Sequence, residues 1–543
     1  MAYIRESCHC VRIQDLPEEI LERIMSYLSP YSDCKNASLV SRKWRRLMQG
    51  VVKRRLQAFH LAARSGSLRW SHTEQQSANC VDGRLSHSAC CVEGVMYMFG
   101  GMIPSARGSG SGTCFCDLRI LDLGDRGWTR LMPTGEYPSP KAAASMVHHN
   151  GSLILFGGYA PPVPNPPHQP PTVFNDLHIY DIAKNHWKCV VTSTSPPPLA
   201  NHGASMMGDL MIIFGGGSGS RHKGNDVWVF SLQSMVWSRM EIEGKKPHPR
   251  DKHVQVVEDD GHILIIGGLG NFDQELQDVW MLDISEVPWC WREVEVRKPE
   301  HAARNFIGHA ACKIGECVVI FNSLRKSSKS VGSALSRMFT QNGNRQRGAY
   351  SSQSSQLSLH STNQRGAVES GSLRDLHPEA KRLCSQSNDN VNQNSVVNDS
   401  NQPSMSDPNS ESVQIGCPCS TECQCKTPVT YKLRARNRRT LSPTKLGLSP
   451  PLDSKIPYGE QQYVLDISKA VTDCQVEWLE IPDQNAGRSP INFNHPSLER
   501  RYGLAPEALY PSICVGRAEI IRFGGMLMDR RCPRALNDQY YAF

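Results

Sequence analysis

The chain has 543 residues, 39% of them hydrophobic, with a formal net charge of +8. Residues 1–66 hold 12 Lys/Arg against 6 Asp/Glu and residues 323–461 hold 18 against 10, so the remainder is acidic, which excludes a basic nucleic-acid-binding body. No uninterrupted apolar run approaches the ~18 residues needed to span a bilayer, and Arg5, Glu6, Asp15, Glu18, Glu19, Glu22 and Arg23 break up any leader-like apolar core near the start. The chain is therefore expected to be soluble, cytoplasmic and/or nuclear, with most of its 20 cysteines free thiols.

In chain order, residues 1–12 read as a flexible N-terminus and 13–50 as a small all-α domain. Pro17 and the acidic Glu18, Glu19 and Glu22 suit the first turns of a helix whose apolar face is Ile20, Leu21, Ile24 and Leu28, ending near Ser29-Pro30. A second apolar set, Leu39, Val40, Trp44 and Leu47, is interleaved with Arg42, Lys43, Arg45 and Arg46. So short a segment cannot enclose a self-sufficient core, and its leftover apolar surface needs a partner. Leu16-Pro17, the acidic pair, the Ile-Leu-Ile ladder and the Leu-Val-Ser-Arg-Lys-Trp run closely resemble the F-box. That resemblance implies docking onto a Skp-type adaptor and, through it, cullin and RING subunits. By motif position, Leu16, Pro17, Ile20, Leu21, Ile24, Leu28, Val40 and Trp44 are the expected bundle and adaptor-contact residues. An ordinary helical hairpin packed on the next domain is the alternative.

Residues 51–66 are expected to be a linker, followed over 67–322 and 462–543 by an all-β repeat. Its second strands end in two glycines: "VMYMFGG", "LILFGG", "MIIFGG", "ILIIGG" and "EIIRFGG". Each is preceded by a turn such as Glu93-Gly94, Asn150-Gly151, Gly208-Asp209, Asp260-Gly261 or Gly516-Arg517, and followed by a third strand such as "CDLRILDL" or "NDLHIYDI". Tryptophans close the units at Trp128, Trp187, Trp237 and Trp291. Small residues in "HSACCV", "AAASMV" and "HGASMM" suit innermost strands crowded around an axis. The diglycine is expected where a side chain would clash, the aspartate after it to take local backbone hydrogen bonds, and the tryptophan to cover the neighbouring unit.

A four-stranded unit repeated at about 50 residues resembles the kelch blade. A fifth unit, Phe306–Ser323, keeps the hairpin (Gly315-Glu316) but has Asn322 and Ser323 in place of the glycines; its third strand resumes at Gln462–Ile467 and it closes at Trp478. The intervening 323–461, rich in Ser, Asn, Gln and Gly, is expected to be a disordered insert. The sixth unit stops at "NDQYYAF" without a fourth strand, and "SLRWSHTE" around Trp70 resembles the missing one. The expected fold is a six-bladed propeller whose N-terminal strand latches its last blade, removing exposed edges.

F-box followed by kelch resembles the plant-type F-box/kelch-repeat family. One branch of that family carries a flavin photoreceptor domain; no room for one exists in 51–66, and "NCVDG" at Asn79 matches only two letters of its reactive-cysteine motif. The resemblance implies a non-catalytic substrate-recognition subunit of an SCF-type ubiquitin ligase, with an unknown protein substrate and no cofactor. A kelch scaffold that does not direct ubiquitination is the alternative, and a propeller oxidoreductase a remote one, since no copper-ligand set, Walker motif, G-x-S-x-G or H-E-x-x-H is present.

His87, His202, His253 and His309 stand one per blade near the innermost strands and are read as structural rather than as a metal ring. In the insert, Cys417, Cys419, Cys423 and Cys425 depart from the usual zinc spacing, Tyr431–Arg439 is basic, and Ser442 and Ser449 each precede proline. The long second-to-third loops share one face with the fourth-to-first loops. That face is the expected substrate surface, with Arg221, His222 and Lys223 as candidate contacts.

Overall fold

The computed structural model describes residues 12–73, 80–104, 112–162, 171–218, 222–303, 310–323, 460–482, 508–527 and 534–543. Residues 324–459, with the cysteine cluster, basic run and Ser-Pro sites, lie outside them, as do Asn79, Arg221 and His309, whereas Ser323, Glu460 and Gln461, expected in the insert, belong to the strands of blade 5.

Three helices come first: α1 (Glu18–Met25), α2 (Ser32–Val40) and α3 (Arg42–Arg64). The Ser41 side chain caps α3, accepting from the Trp44 amide at 3.1 Å. Arg46 and Arg54 reach back to Glu18 (2.5 Å) and Glu22 (2.6 Å), while Arg55 donates to the Leu28 and Ser26 carbonyls at the end of α1. Much of the basic character of α3 thus holds α1 in place. Where composition predicts a linker over 51–66, α3 instead continues unbroken to Arg64 and carries Phe59 and Ala63 into the core of the β domain.

Among the described residues, six antiparallel four-stranded blades follow. Blade 1 runs from Ser88–Val92 to Trp128–Arg130, blade 2 from Ser145–His149 to His186–Val190, and blade 3 from Gly203–Met207 to Val236–Met240. Blade 4 runs from Val254–Asp259 to Cys290–Arg297, and its outer strand pairs in parallel with Gln475–Trp478, the outer strand of blade 5. Blade 6 consists of Ser512–Val515, Ile520–Phe523, Gln539–Ala542 and, outermost, Trp70–Thr73. Trp70 lies opposite Ala542 and Thr73 opposite Gln539, so the first of the described strands completes the sheet formed by the last.

The blades are joined by a repeated aromatic contact. Trp128 packs on Phe523 of blade 6 at 4.8 Å between ring centroids, Trp187 on Phe99 at 5.7 Å, Trp237 on Phe156 at 4.9 Å and Trp291 on Phe214 at 5.0 Å. Trp70 meets Phe321 of blade 5 at 5.0 Å, so the latch strand makes the same contact as the others. Trp478 is buried among Leu264, Ile266 and Val279 of blade 4.

The diglycine does what the repeat predicts. Gly100 and Gly101 both have positive φ (68° and 88°), and a Cβ on Gly100 would lie 2.4 Å from the Lys141 carbonyl oxygen of blade 2. Blade 5, lacking the glycines, does not turn there: Asn322 and Ser323 continue the strand and pair with Gln461 and Glu460. Glu460 forms a fully buried ion pair with Arg522 of blade 6.

Candidate functional site: the helical hook and the loop face

The hook has a buried core and leaves several large apolar side chains exposed. Leu21, Met25, Cys34, Ala37, Leu47, Met48 and Val51 are buried together, with Leu16, Leu28 and Trp44 packed against them. Ile20, Ile24 and Tyr27 recur at i, i+4 and i+7 on another stripe, 46%, 40% and 75% exposed; Leu39 and Val40 at the end of α2 are 68% and 63% exposed. Of the eight residues assigned from the motif, Pro17, Ile20, Ile24 and Val40 therefore face outward, and Leu16, Leu21, Leu28 and Trp44 serve the bundle. Tyr27 joins the exposed set on the periodicity of α1. Ile20, Ile24, Tyr27, Leu39 and Val40 are thus large apolar side chains left in water by a small unit.

The hook is seated on the propeller. Tyr31 is buried among Val81, Met96, Leu121 and Ile521, and its hydroxyl donates to the Glu519 carboxylate at 2.5 Å. Arg126 of blade 1 grips both oxygens of Glu519, at 3.1 and 2.7 Å, and stacks over Tyr541. Burial, reinforced by the Glu519 charge, pushes the Tyr31 hydroxyl pKa far above its ordinary value. At the other end of α3, Arg64 pairs with Asp466, and Gln462 Nε2 donates to the Ala63 carbonyl at 2.9 Å. Gly94, Gly315 and Gly516 lie against Tyr31 or His60, so the hook rests on the first-to-second turns of blades 1, 5 and 6. The second-to-third and fourth-to-first loops lie at the opposite strand ends.

Those two loop sets meet as the topology requires, with bridges from Leu85 to Met102, Ala142 to Tyr159, Ala200 to Gly217 and Leu509 to Met526. Around the central mouth the chain forms a collar. Ser86 N donates to Tyr510 O at 3.0 Å, Ala143 N to Ser86 O at 2.8 Å, Asn201 N to Ala143 O at 3.0 Å and Lys252 N to Asn201 O at 2.9 Å. Each of these five residues has φ between 53° and 57°.

Beneath the collar, three buried cations pair with carboxylates of their own blades. Arg84 binds Asp117 at 2.6 Å, Lys141 binds Asp176 at 2.6 Å and Arg250 binds Asp278 at 2.8 Å. Where local spacing predicts backbone bonds for the aspartate after the diglycine, the structure shows these ion pairs. Burial works against the Asp117 carboxylate, but its bonds to Arg84 and Arg119 outweigh it and hold its pKa below the ordinary value. In blade 3, Leu199 occupies the cation's place and Asp226 turns outward to Arg239.

The histidines sit between blades. His87 lies edge-on to Phe523 and 2.5 Å from Ser512 Oγ; His202 lies edge-on to Phe156 and 2.8 Å from Ser145 Oγ; His253 lies edge-on to Phe214. Burial lowers their pKa values to about 3, 4 and 3, so all three are neutral near pH 7. Among the described residues, no three His, Cys, Asp or Glu side chains come together as a metal-ligand set, and no helix is long and apolar enough to cross a membrane.

Of the candidate substrate contacts, His222 is exposed on the loop face. Lys223 turns inward: its side chain is 2% exposed, and its ammonium pairs with Asp251 at 2.8 Å and donates to the Leu269 carbonyl at 3.0 Å. It braces the loop of blade 4 rather than presenting charge to solvent.

Residues 13–56 match the F-box-like family, and residues 84–291 match the β-propeller domain family of FBX42. Kelch domain-containing protein 2 of Bos taurus is 28% identical over 250 residues, 43% of this chain and 59% of that protein. Kelch domain-containing protein 1 of Mus musculus is 26% identical over 221 residues, 38% of this chain and 53% of the relative. Acyl-CoA-binding domain-containing protein 5 of Arabidopsis thaliana is 29% identical over 247 residues, covering 43% and 35%. The chain thus spans about a third to three fifths of these relatives' own lengths. With an F-box-like domain packed against a kelch-type propeller, the chain has the architecture of an F-box/kelch protein.

Proposed function

We propose that this protein is the substrate receptor of an SCF-type ubiquitin ligase. The exposed apolar stripe of the hook docks a Skp-type adaptor and, through it, cullin and RING subunits, and the loop face of the propeller captures a protein target. The receptor performs no transfer chemistry; it tethers the target and so raises its effective concentration near the ubiquitin-loaded enzyme. It works in the cytoplasm and/or nucleus.

The observation that carries this reading is the exposure of Ile20, Ile24, Leu39 and Val40 on a hook seated on the propeller face away from the long loops. Both surfaces are accessible at once. The test is Ile24→Asp with Val40→Asp in the full chain. Adaptor and cullin should no longer co-purify, thermal stability should be unchanged, and proteins proximity-labelled by the variant should accumulate relative to wild type. Retained adaptor binding would overturn the hook assignment, and adaptor loss without target accumulation would favour the non-degradative scaffold.

A further inference from the structure

The second-to-third hairpin of blade 4 stands above the disc. Beyond a bulge at Gly267 its strands pair again, Gly268 with Leu276 and Leu269 with Glu275, and the tip is Asn271-Phe272-Asp273-Gln274. Phe272 is 89% exposed. Its backbone is in the left-handed region (φ 57°, ψ 29°), where glycine or asparagine is the ordinary occupant and a phenylalanine is strained.

The tip is nevertheless held firmly. Gly270 N donates to Gln274 O at 2.7 Å, Gln274 N to Asn271 O at 3.3 Å, and Lys223 N of the blade 3 loop to Asn271 Oδ1 at 3.2 Å. The Lys223 ammonium adds its bonds to Leu269 O and Asp251 from below. A large aromatic kept in water, in a backbone conformation that disfavours it, on a loop braced from two sides, has no role in the core of this fold.

We propose that Phe272 is the specificity-determining anchor of the capture face: a preformed aromatic knob against which an apolar or aromatic side chain of the target protein packs. Strained backbone persists where the surroundings fix it and concentrates at binding sites, and rigid aromatic anchors carry a disproportionate share of interface affinity. Because the loop does not have to be ordered on binding, contact with the ring costs little entropy. Exposed His222 on the adjoining loop of blade 3 flanks the same surface. This inference rests on the loop face being the capture face.

The test uses the full chain and a phage-displayed library of random twelve-residue peptides selected on the wild type. Enriched peptides should share an apolar or aromatic position and bind Phe272→Gly at least tenfold more weakly, with Phe272→Leu within threefold of wild type. Phe272→Gly should unfold at the same or a higher temperature, since it relieves the backbone. Equal binding by Phe272→Gly overturns the anchor. If Thr172→Trp on the loop hairpin of blade 2 then abolishes binding, the capture face survives; if it too has no effect, the capture face falls with it. Failure to enrich any such peptide also counts against the anchor.

Discussion

The Tyr31 hydroxyl donates to the Glu519 carboxylate, joining the turn between α1 and α2 to blade 6 across nearly the whole sequence. Glu519 is 3% exposed and also held by Arg126 of blade 1, so one buried carboxylate ties the hook to blades 6 and 1. Removing the hydroxyl in Tyr31→Phe leaves Glu519 one donor short and should cost about 1–3 kcal/mol. The thermal midpoint should fall and amide exchange across residues 12–64 should rise, with adaptor affinity unchanged. Undiminished protection of the hook would show that Tyr31 does not fix its position.

Leu21 and Ile24 test the division of the hook into core and surface. Leu21 is 1% exposed, and Leu21→Ala should destabilise by about 2–5 kcal/mol. Ile24 is 40% exposed, and Ile24→Ala should shift stability by no more than about 0.5 kcal/mol while weakening adaptor capture. Denaturant titration and adaptor titration on the same samples separate the two effects.

Trp70 is the latch contact. It is buried between Phe321 of blade 5 and Tyr540 of blade 6, and Trp70→Ala should cost about 3–5 kcal/mol. Deleting 67–73 should do more, baring the Gln539–Ala542 edge to intermolecular pairing. Light scattering during mild heating should show aggregation of the deletion before that of the point variant.

Gly100 and Gly151 both have positive φ, 68° and 74°, but only Gly100 is crowded. Gly151→Ala meets nothing within 4 Å and should cost only the backbone penalty of about 1–2 kcal/mol. Gly100→Ala drives a methyl into the Lys141 carbonyl and should cost clearly more. Comparable midpoints for the two variants would refute the close approach of blades 1 and 2.

Stability should fall with acid before the carboxylates titrate. The folded pKa of His202, lowered by burial to about 4, lies beneath its unfolded value of about 6.5. The unfolded chain therefore binds the proton more readily, and stability present above about pH 6.5 is lost as pH falls towards 4. His87 and His253, lowered to about 3, act in the same direction. His202→Gln should flatten the slope of thermal midpoint against pH between 6.5 and 4.5 by roughly a third of the three-histidine effect. An unchanged slope would mean that His202 is not buried as a neutral ring.

The repeat, the latch and the tryptophan contacts were legible because each depends on short-range spacing repeated many times. The buried pairs were not: Arg84 and Asp117 lie in different strands' approaches, and neither position looks unusual alone. Local sequence offers the aspartate only its own backbone as partner, so spacing alone points there rather than to a cation in another loop. Lys223 looked like a surface cation because its partner, Asp251, belongs to the next blade. The hook's core and surface residues share one amphipathic pattern, and only the position of α3 separates Leu21 from Ile24.

Closure by the earliest strand sets a schedule for biosynthesis. At ~5–20 residues per second, the ribosome takes on the order of a minute to travel from Thr73 to the strand that receives it. For roughly the first half of that interval Trp70 lacks its blade 5 contact Phe321, and for all of it the blade 6 strand Gln539–Ala542 is still unmade. The nascent chain must therefore keep its own fastener unengaged, a natural point for chaperones to hold it until the final blade emerges.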